Sequence, residues 1–204
     1  MLEIRKEYPN EYKEIENMVR EAFWDVYQPG CDEHLVVHKL REDKSYIKDL
    51  SYILIEDGKK IGFIFYSLVY VKTSDNRLIE AISFGPVGVL PEYQGKGYGS
   101  KLIEFTLEKA LEGGYPAVFI TGNPEYYHRF GFKSASKYGI YIEGMDKSDE
   151  APFSMVKVLK KEWINDVKGV IIIPECYYCT KEETEEFDKG FSAKEKHVKE
   201  GQFR

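Results

Sequence analysis

The sequence predicts an α+β protein with a sandwich-like α/β architecture, in which a β-sheet is flanked by helices. Three observations support this prediction: stretches with apolar residues at helical spacing, stretches rich in β-branched and aromatic residues, and an order in which the two kinds alternate. The predicted order is β, α, α, β, β, β, α, β, α, β. A length of 204 residues fits one domain with an extension, or at most two small domains, and we expect one domain.

The first third of the chain is predicted to contain two helices and a hairpin. Apolar residues recur at helical spacing from Asn10 to Val26, and a second, short helix is expected over residues 33–41. Residues 51–56 and 60–73 are rich in Ile, Tyr, Phe and Val. They flank Asp57-Gly58, a dipeptide favoured in two-residue turns, so we expect an antiparallel hairpin.

The middle of the chain is predicted to contain an irregular strand and a helix. The strand covers residues 78–90, and it must be irregular because it contains Gly85, Pro86 and Gly88. A loop over residues 91–97 precedes a helix that stops at Gly113-Gly114. The elements expected after it are a strand over 117–120, a short helix over 124–129 and a strand over 153–159.

The last part of the chain carries weaker signals. We place the main domain at residues 1–165 and a C-terminal extension, packed on the same domain, at residues 166–204. The extension is predicted to hold a strand over 170–178 and a short acidic helix that follows Thr180, which has capping-box spacing to Glu183. Residues 192–204 are expected to form a frayed, flexible tail.

Composition excludes several classes of protein. Lys and Arg number 29 against 35 Asp and Glu, a net charge of −6, which disfavours binding to nucleic acid through bulk basic charge. No apolar run approaches the roughly 20 residues needed to cross a bilayer, and the N-terminus lacks the apolar region of a secretory signal. The three cysteines form no even-numbered framework of disulfides. We therefore expect a cytoplasmic protein with reduced thiols and no membrane partner.

A glycine-rich loop joins the irregular strand to the next helix. Free backbone N–H groups at such a helix start can bind phosphate, and the glycines at 95, 97 and 99 let the main chain approach closely. The register of the loop fits neither the phosphate-binding pattern GxxxxGK[ST] nor the dinucleotide pattern GxGxxG. It fits QxxGxG, from Gln94 to Gly99.

This motif resembles motif A of the GCN5-related N-acetyltransferases, the GNAT family. The bend GPVGVLP at residues 85–91 and the segment GNPEYYHRFGF at 122–132 appear in family order. The resemblance implies a mixed, mostly antiparallel sheet with splayed fourth and fifth strands, and acetyl-CoA as co-substrate between them. It assigns the pantetheine to the bent strand and the pyrophosphate to the loop, with these cofactor-binding residues: Val87, Gly88, Val89, Gln94, Gly95, Lys96, Gly97, Tyr98, Gly99, Ser100 and Asn123.

The resemblance also assigns a catalytic residue. Tyr127 lies four residues before Gly131-Phe132, as the family tyrosine does. A phenol of pKa about 10 can share a proton with a leaving thiolate, whose conjugate acid has a pKa of about 8.5. Tyr126 is a second candidate, and Tyr127 could instead pack in the core or against the pantetheine. Glu80 and Glu143 are candidate general bases, but solvated surface charges explain them more simply, and no base is assigned.

The predicted function is transfer of acetyl from acetyl-CoA to a primary amine of a small-molecule or peptide acceptor, by direct attack. The resemblance places the acceptor near residues 28–41 and 139–152 and suggests a homodimer. One alternative is a non-catalytic module that binds or senses acyl-CoA. Another alternative is an interaction domain stabilised by zinc, which would need Cys31, His34, Cys176 and Cys179 as its ligands. We expect no metal site.

Overall fold

The computed structural model describes residues 1–146 and 150–202. Strands and helices follow one another along the chain as β1 (Leu2–Arg5), α1 (Tyr12–Phe23), α2 (Glu33–Glu42), β2 (Tyr52–Glu56), β3 (Lys59–Thr73), β4 (Leu78–Val89), α3 (Tyr98–Glu112), β5 (Ala117–Thr121), α4 (Pro124–Tyr127), β6 (Lys133–Ser134), β7 (Ile140–Ile142), β8 (Ser154–Val158), β9 (Gly169–Ile172) and α5 (Lys181–Asp188). The predicted order is confirmed as far as α4, after which two short strands that were not predicted, β6 and β7, precede β8.

The chain divides into two compact units. The first contains residues Met1–Phe65, Pro86–Ile103 and those from Glu175 onward, and the second contains Tyr66–Gly85 and Glu104–Pro174. Strands β3 and β4 and helix α3 each contribute residues to both units.

In the first unit, β1, β2 and the first half of β3 pair antiparallel in that order. The β2–β3 hairpin closes at the pair Glu56–Lys59. Between them, Asp57 and Gly58 have φ values of 49° and 82°, the left-handed conformations that a tight two-residue turn requires. The hairpin predicted from the Asp-Gly dipeptide is confirmed.

The core of the first unit lies where the apolar faces of α1 and α2 meet the sheet. Helix α1 is amphipathic. Full burial of a Val, Leu, Ile, Phe or Met side chain stabilises the folded state by roughly 1.5–3 kcal/mol. The buried cluster comprises Ile15, Met18, Val19, Ala22, Val37, Leu40, Ile53, Ile55, Phe63, Phe65, Leu90 and Cys176.

The second unit contains the mixed part of the sheet. Its strands β4, β5, β8 and β6 lie side by side in that order, with β4 and β5 parallel and the other pairs antiparallel. Strands β4 and β5 pair at Ile82–Val118 and Ser83–Phe119. Because β4 continues to Val89, its last residues extend past these pairs, as expected of splayed strands. The mixed, mostly antiparallel sheet flanked by helices is confirmed.

The last part of the chain differs from its prediction. Strand β9 ends at Ile172, so a strand reaching residue 178 was wrong. Pro174 has no N–H to give to a sheet, and Glu175–Tyr177 forms a turn of 3₁₀-helix instead. The capping box is confirmed, because the amide of Glu183 donates to Thr180 Oγ1 (3.1 Å) and the amide of Thr180 donates to Glu183 Oε2 (2.8 Å).

Residues 192–202, predicted to form a frayed, flexible tail, form no helix or strand. They nevertheless make hydrogen bonds to the end of α1 and the residues after it. Across residues 1–146 and 150–202, no helix combines the length and the apolar character required to span a bilayer.

Candidate functional site

The glycine loop of the first unit is exposed, and its backbone conformation requires glycine at two positions. A turn at Pro91–Tyr93 follows β4, and α3 begins at Tyr98. Gly95 and Gly97 have φ values of 75° and 81°, and a Cβ at either position would meet nothing within 4 Å. The two glycines are therefore needed for the path of the backbone and not because a neighbour crowds them.

The start of α3 presents main-chain donors on this loop. The Lys101 amide donates to the Gly97 carbonyl (3.1 Å), which is the first hydrogen bond of the helix. The amides of Tyr98, Gly99 and Ser100 come before this bond, so they have no acceptor inside the helix. Since the helix dipole is positive at the same end, the loop can bind an anionic group such as a pyrophosphate.

Side chains fix and surround the loop. Gln94 Nε2 donates to the Val89 carbonyl (3.0 Å), which ties the loop to the end of β4. The Tyr98 hydroxyl donates to the Glu56 carboxylate, and this hydrogen bond raises the pKa of Tyr98. The Lys96 ammonium lies 5.0 Å from the centre of the Tyr93 ring. The loop thus carries a cation beside its free amides.

The last residues of β4 pack against the core of the first unit. A Cβ on Gly88 would lie 2.7 Å from Phe63 Cζ and 3.4 Å from Phe23 Cε2, so any other residue would have to displace the Phe63 ring. Val89 is buried and Val87 half-buried. The main chain of β4 therefore lies directly on two aromatic rings, with no side chain of Gly88 between them.

Tyr127 and Asn123 belong to the second unit. Asn123 caps α4, because its Oδ1 accepts from the Glu125 amide (3.0 Å) and its carbonyl from the Tyr127 amide (3.2 Å). Tyr127 is 9% exposed. Its ring lies 6.0 Å from the rings of Phe84 and Phe132. The cap and the aromatic packing hold the predicted catalytic tyrosine in one orientation.

The other candidates from the sequence are not brought into a site. Glu80 and Glu143 are exposed. Cys31 Sγ lies 3.6 Å from His34 Nδ1, but within the part of the chain that the structure describes no three His, Cys, Asp or Glu side chains are grouped to hold a metal ion. Burial raises the pKa of Cys176 and of Cys179 to about 11, so both thiols are protonated at neutral pH.

Sequence reasoning missed an acidic group at the start of α2. Burial raises the pKa of Glu33 to about 7, and the charge of Asp32 adds to the effect. The Asp32 amide donates to Glu33 Oε2 (3.2 Å). A carboxyl group with this pKa can exchange a proton near neutral pH. No motif marks Glu33, because its burial depends on the fold.

Comparisons with known proteins agree on one family. Residues 15–132 match the model of the Acetyltransferase (GNAT) family. The uncharacterized N-acetyltransferase YhbS of Escherichia coli (strain K12) is 31% identical over 169 residues, which cover 82% of this chain and 93% of that protein. The uncharacterized N-acetyltransferase YjhQ of the same strain is 32% identical over 130 residues, or 63% of this chain and 66% of YjhQ.

Two solved structures resemble this one. The crystal structure of E. coli YhbS in complex with CoA superposes with a TM-score of 0.73 at 28% identity, covering 86% of this chain and 91% of that chain. A GNAT family acetyltransferase from Brucella melitensis, in complex with acetyl-CoA, gives a TM-score of 0.68 at 27% identity, covering 87% of this chain and 99% of that chain.

Proposed function

Because the chain belongs to the GNAT acetyltransferase family, we propose that it transfers the acetyl group of acetyl-CoA directly to a primary amine of a small-molecule or peptide acceptor. The observation that carries this proposal is the exposed glycine loop, with Gly95 and Gly97 at positive φ, at the start of the 15-residue helix α3. A loop of this shape offers main-chain donors to a pyrophosphate.

The co-substrate is acetyl-CoA in this proposal. Its pyrophosphate binds the amides of residues 95–100, and its pantetheine pairs with the main chain of residues 87–89. Support comes from the two similar structures, one in complex with CoA and one with acetyl-CoA. Lys96 adds a positive charge at the loop. The Asn123 side chain caps α4 through its oxygen Oδ1. Its carboxamide nitrogen Nδ2 is the donor that this side chain offers to the co-substrate.

Tyr127 serves as the general acid. The neutral amine attacks the thioester carbonyl carbon, the new C–N bond forms, and the C–S bond breaks as the thiolate accepts the tyrosine proton. The amine loses its own proton to a base or to water. An alkylamine of pKa about 10.4 is neutral in only about one molecule in 10³ near pH 7, so a base must remove the proton. No residue is proposed for that base.

Calorimetric titration of acetyl-CoA into the purified chain tests the proposal, with desulfo-CoA and ATP as comparison ligands. We expect micromolar binding of both CoA compounds and none of ATP, followed by CoA release when primary amines are screened. No heat and no thermal stabilisation by acetyl-CoA would overturn it. Binding without release of CoA for any amine would instead favour a module that only binds or senses acyl-CoA.

We further propose an acetyltransferase domain at residues 1–165, an extension at 166–204 packed on it, a cytoplasmic location and a homodimer. Size-exclusion chromatography with light scattering decides the last of these.

A further inference from the structure

The C-terminal segment of the first unit is bonded to one buried carboxylate. Asp25 follows α1 by two residues, has φ of 58° and is 4% exposed. The main-chain amide of His197 donates to Asp25 Oδ1 (3.1 Å), and His197 Nδ1 lies 3.0 Å from Asp25 Oδ2. Gln202 Nε2 donates to the Asp25 carbonyl (2.9 Å). Three bonds from the chain terminus therefore converge on a single residue.

The same carboxylate closes the loop between α1 and α2. The Gly30 amide donates to Asp25 Oδ1 (2.7 Å), and the Asp25 amide donates to the Gly30 carbonyl (2.9 Å). Gly30 has φ of 79°, and a Cβ there would lie 2.9 Å from Lys196 Cε. The terminal segment is thus packed directly on the turn that Asp25 closes.

A second set of contacts holds the segment on α1. Arg20 Nε donates to Asp188 Oδ1 (2.9 Å), and the Trp24 indole donates to the Glu195 carbonyl (2.8 Å). Arg20 is 3% exposed and Trp24 8%. The residues that bind the segment are therefore buried, and it is part of the packed first unit.

The loop closed by Asp25 begins next to the strand proposed to hold the pantetheine. Phe23, the last residue of α1, lies two residues before Asp25. Its ring is 6.1 Å from that of Phe63, and both rings contact the position that a Cβ of Gly88 would occupy. A change in the path of the chain at Asp25 would therefore move an aromatic ring against Gly88.

We propose that residues 188–202 form a latch on the α1–α2 loop, and that Asp25 is a positioning residue that acts on the main chain of Gly88 through Phe23. This proposal rests on the proposed function, in which the main chain at Gly88 pairs with the pantetheine of acetyl-CoA. The latch lies outside residues 15–132, which match the family model, so it is a feature of this chain beyond the matched region.

The test compares His197→Ala/Gln202→Ala with Lys199→Ala in the full chain. The double variant loses two side-chain bonds to Asp25, whereas the exposed Lys199 bonds to Gln202 through its main-chain amide and carbonyl, which an alanine retains. We expect amide hydrogen exchange over residues 24–31 to be at least tenfold faster in the double variant. We also expect a shifted ¹H–¹⁵N resonance of Gly88. Lys199→Ala should change neither, and His197→Asn, which keeps a donor at the Nδ1 position, should behave as the native chain.

The exchange rate tests the latch, and the Gly88 resonance tests the positioning role of Asp25. Unchanged exchange over residues 24–31 would overturn the latch. Faster exchange with an unmoved Gly88 resonance would overturn the positioning role of Asp25. If the double variant fails to fold, the single variant His197→Ala provides the same two measurements. Failure of acetyl-CoA to bind the native chain would overturn the proposed function and leave the exchange result intact.

Discussion

The ring of Tyr127 lies so close to Gly122 that a Cβ on Gly122 would be 2.6 Å from Tyr127 Cε2. Asn123 lies between these two residues and starts α4 by capping it. The main chain therefore passes the edge of the tyrosine ring at a distance that only glycine permits. The ring has one orientation, and a tyrosine held this way can present its hydroxyl without reorganising during a reaction.

Replacing Tyr127 by Phe tests its role as acid. The ring remains, so the contacts to Phe84 and Phe132 and the affinity for acetyl-CoA should be unchanged. Turnover with a primary amine that the chain acetylates should fall about 10²-fold, because one proton transfer is lost. Tyr126→Phe is the matched control, since its ring is stacked under Arg129 at 4.2 Å, and it should retain full turnover. Equal loss in both variants, measured by CoA release, would refute the assignment.

The elements that the sequence predicted well are those coded by neighbouring residues. The hairpin depends on Asp57-Gly58, and the start of α5 on Thr180 and Glu183. The short strands β6 and β7 were not predicted. They have two and three residues, and they exist because β8 and β9 lie beside them, which no local pattern records.

The same distinction applies to the candidate site. The glycine loop could be found because its residues are contiguous and their conformation is set locally. The close contact of Gly88 with Phe63 depends on chain pairing across the sheet. The bond between Asp25 and His197 joins residues 172 positions apart, and a lone histidine in a lysine-rich tail gives no signal for it.

Gly95 and Gly97 should be required for binding as well as for conformation. Alanine at either position would be forced into the left-handed region, which costs about 1–2 kcal/mol. Because the strain falls on the amides proposed to hold the pyrophosphate, we expect at least tenfold weaker binding of acetyl-CoA. Gly58→Ala is the control: it also has positive φ and open space around its Cβ, but it lies in the β2–β3 turn. Gly58→Ala should lower the free energy of unfolding by the same amount and leave the Kd for acetyl-CoA unchanged.

Gly88→Ala should destabilise the first unit by overpacking. Its Cβ would lie 2.7 Å from Phe63 Cζ, so the ring must shift, at a cost of about 1–3 kcal/mol. Urea unfolding measures this loss, and Phe63→Leu in the same chain should recover part of it by giving space. Gly85→Ala serves as comparison on the same strand, because a Cβ there meets nothing within 4 Å. A similar loss at both positions would contradict the packing explanation.

His34 should make the stability of the chain depend on pH. The ring is fully buried, with Nε2 3.0 Å from Asp188 Oδ1. Burial lowers the pKa of His34 to about 4, the charge of Asp188 opposes this, and that of Arg20 adds to it. The unfolded histidine has a pKa of about 6.5, so between pH 6.5 and 4 the unfolded chain binds more protons. The free energy of unfolding should therefore fall as the pH is lowered, by at most about 1.4 kcal/mol per pH unit.

His34→Gln isolates this contribution, because an amide can still donate to Asp188 but does not titrate. Urea unfolding at pH 4.5, 5.5 and 6.5 should show a shallower pH dependence in this variant than in the native chain. His38→Gln is the control on the same helix, where the side chain is 47% exposed and pairs with Glu16. It removes a histidine from the same helix and leaves the contact between His34 and Asp188 in place, so the slope of the native chain should be retained. If the free energy of unfolding of His34→Gln depends on pH as steeply as that of the native chain, then protonation of His34 is not the cause of the acid destabilisation.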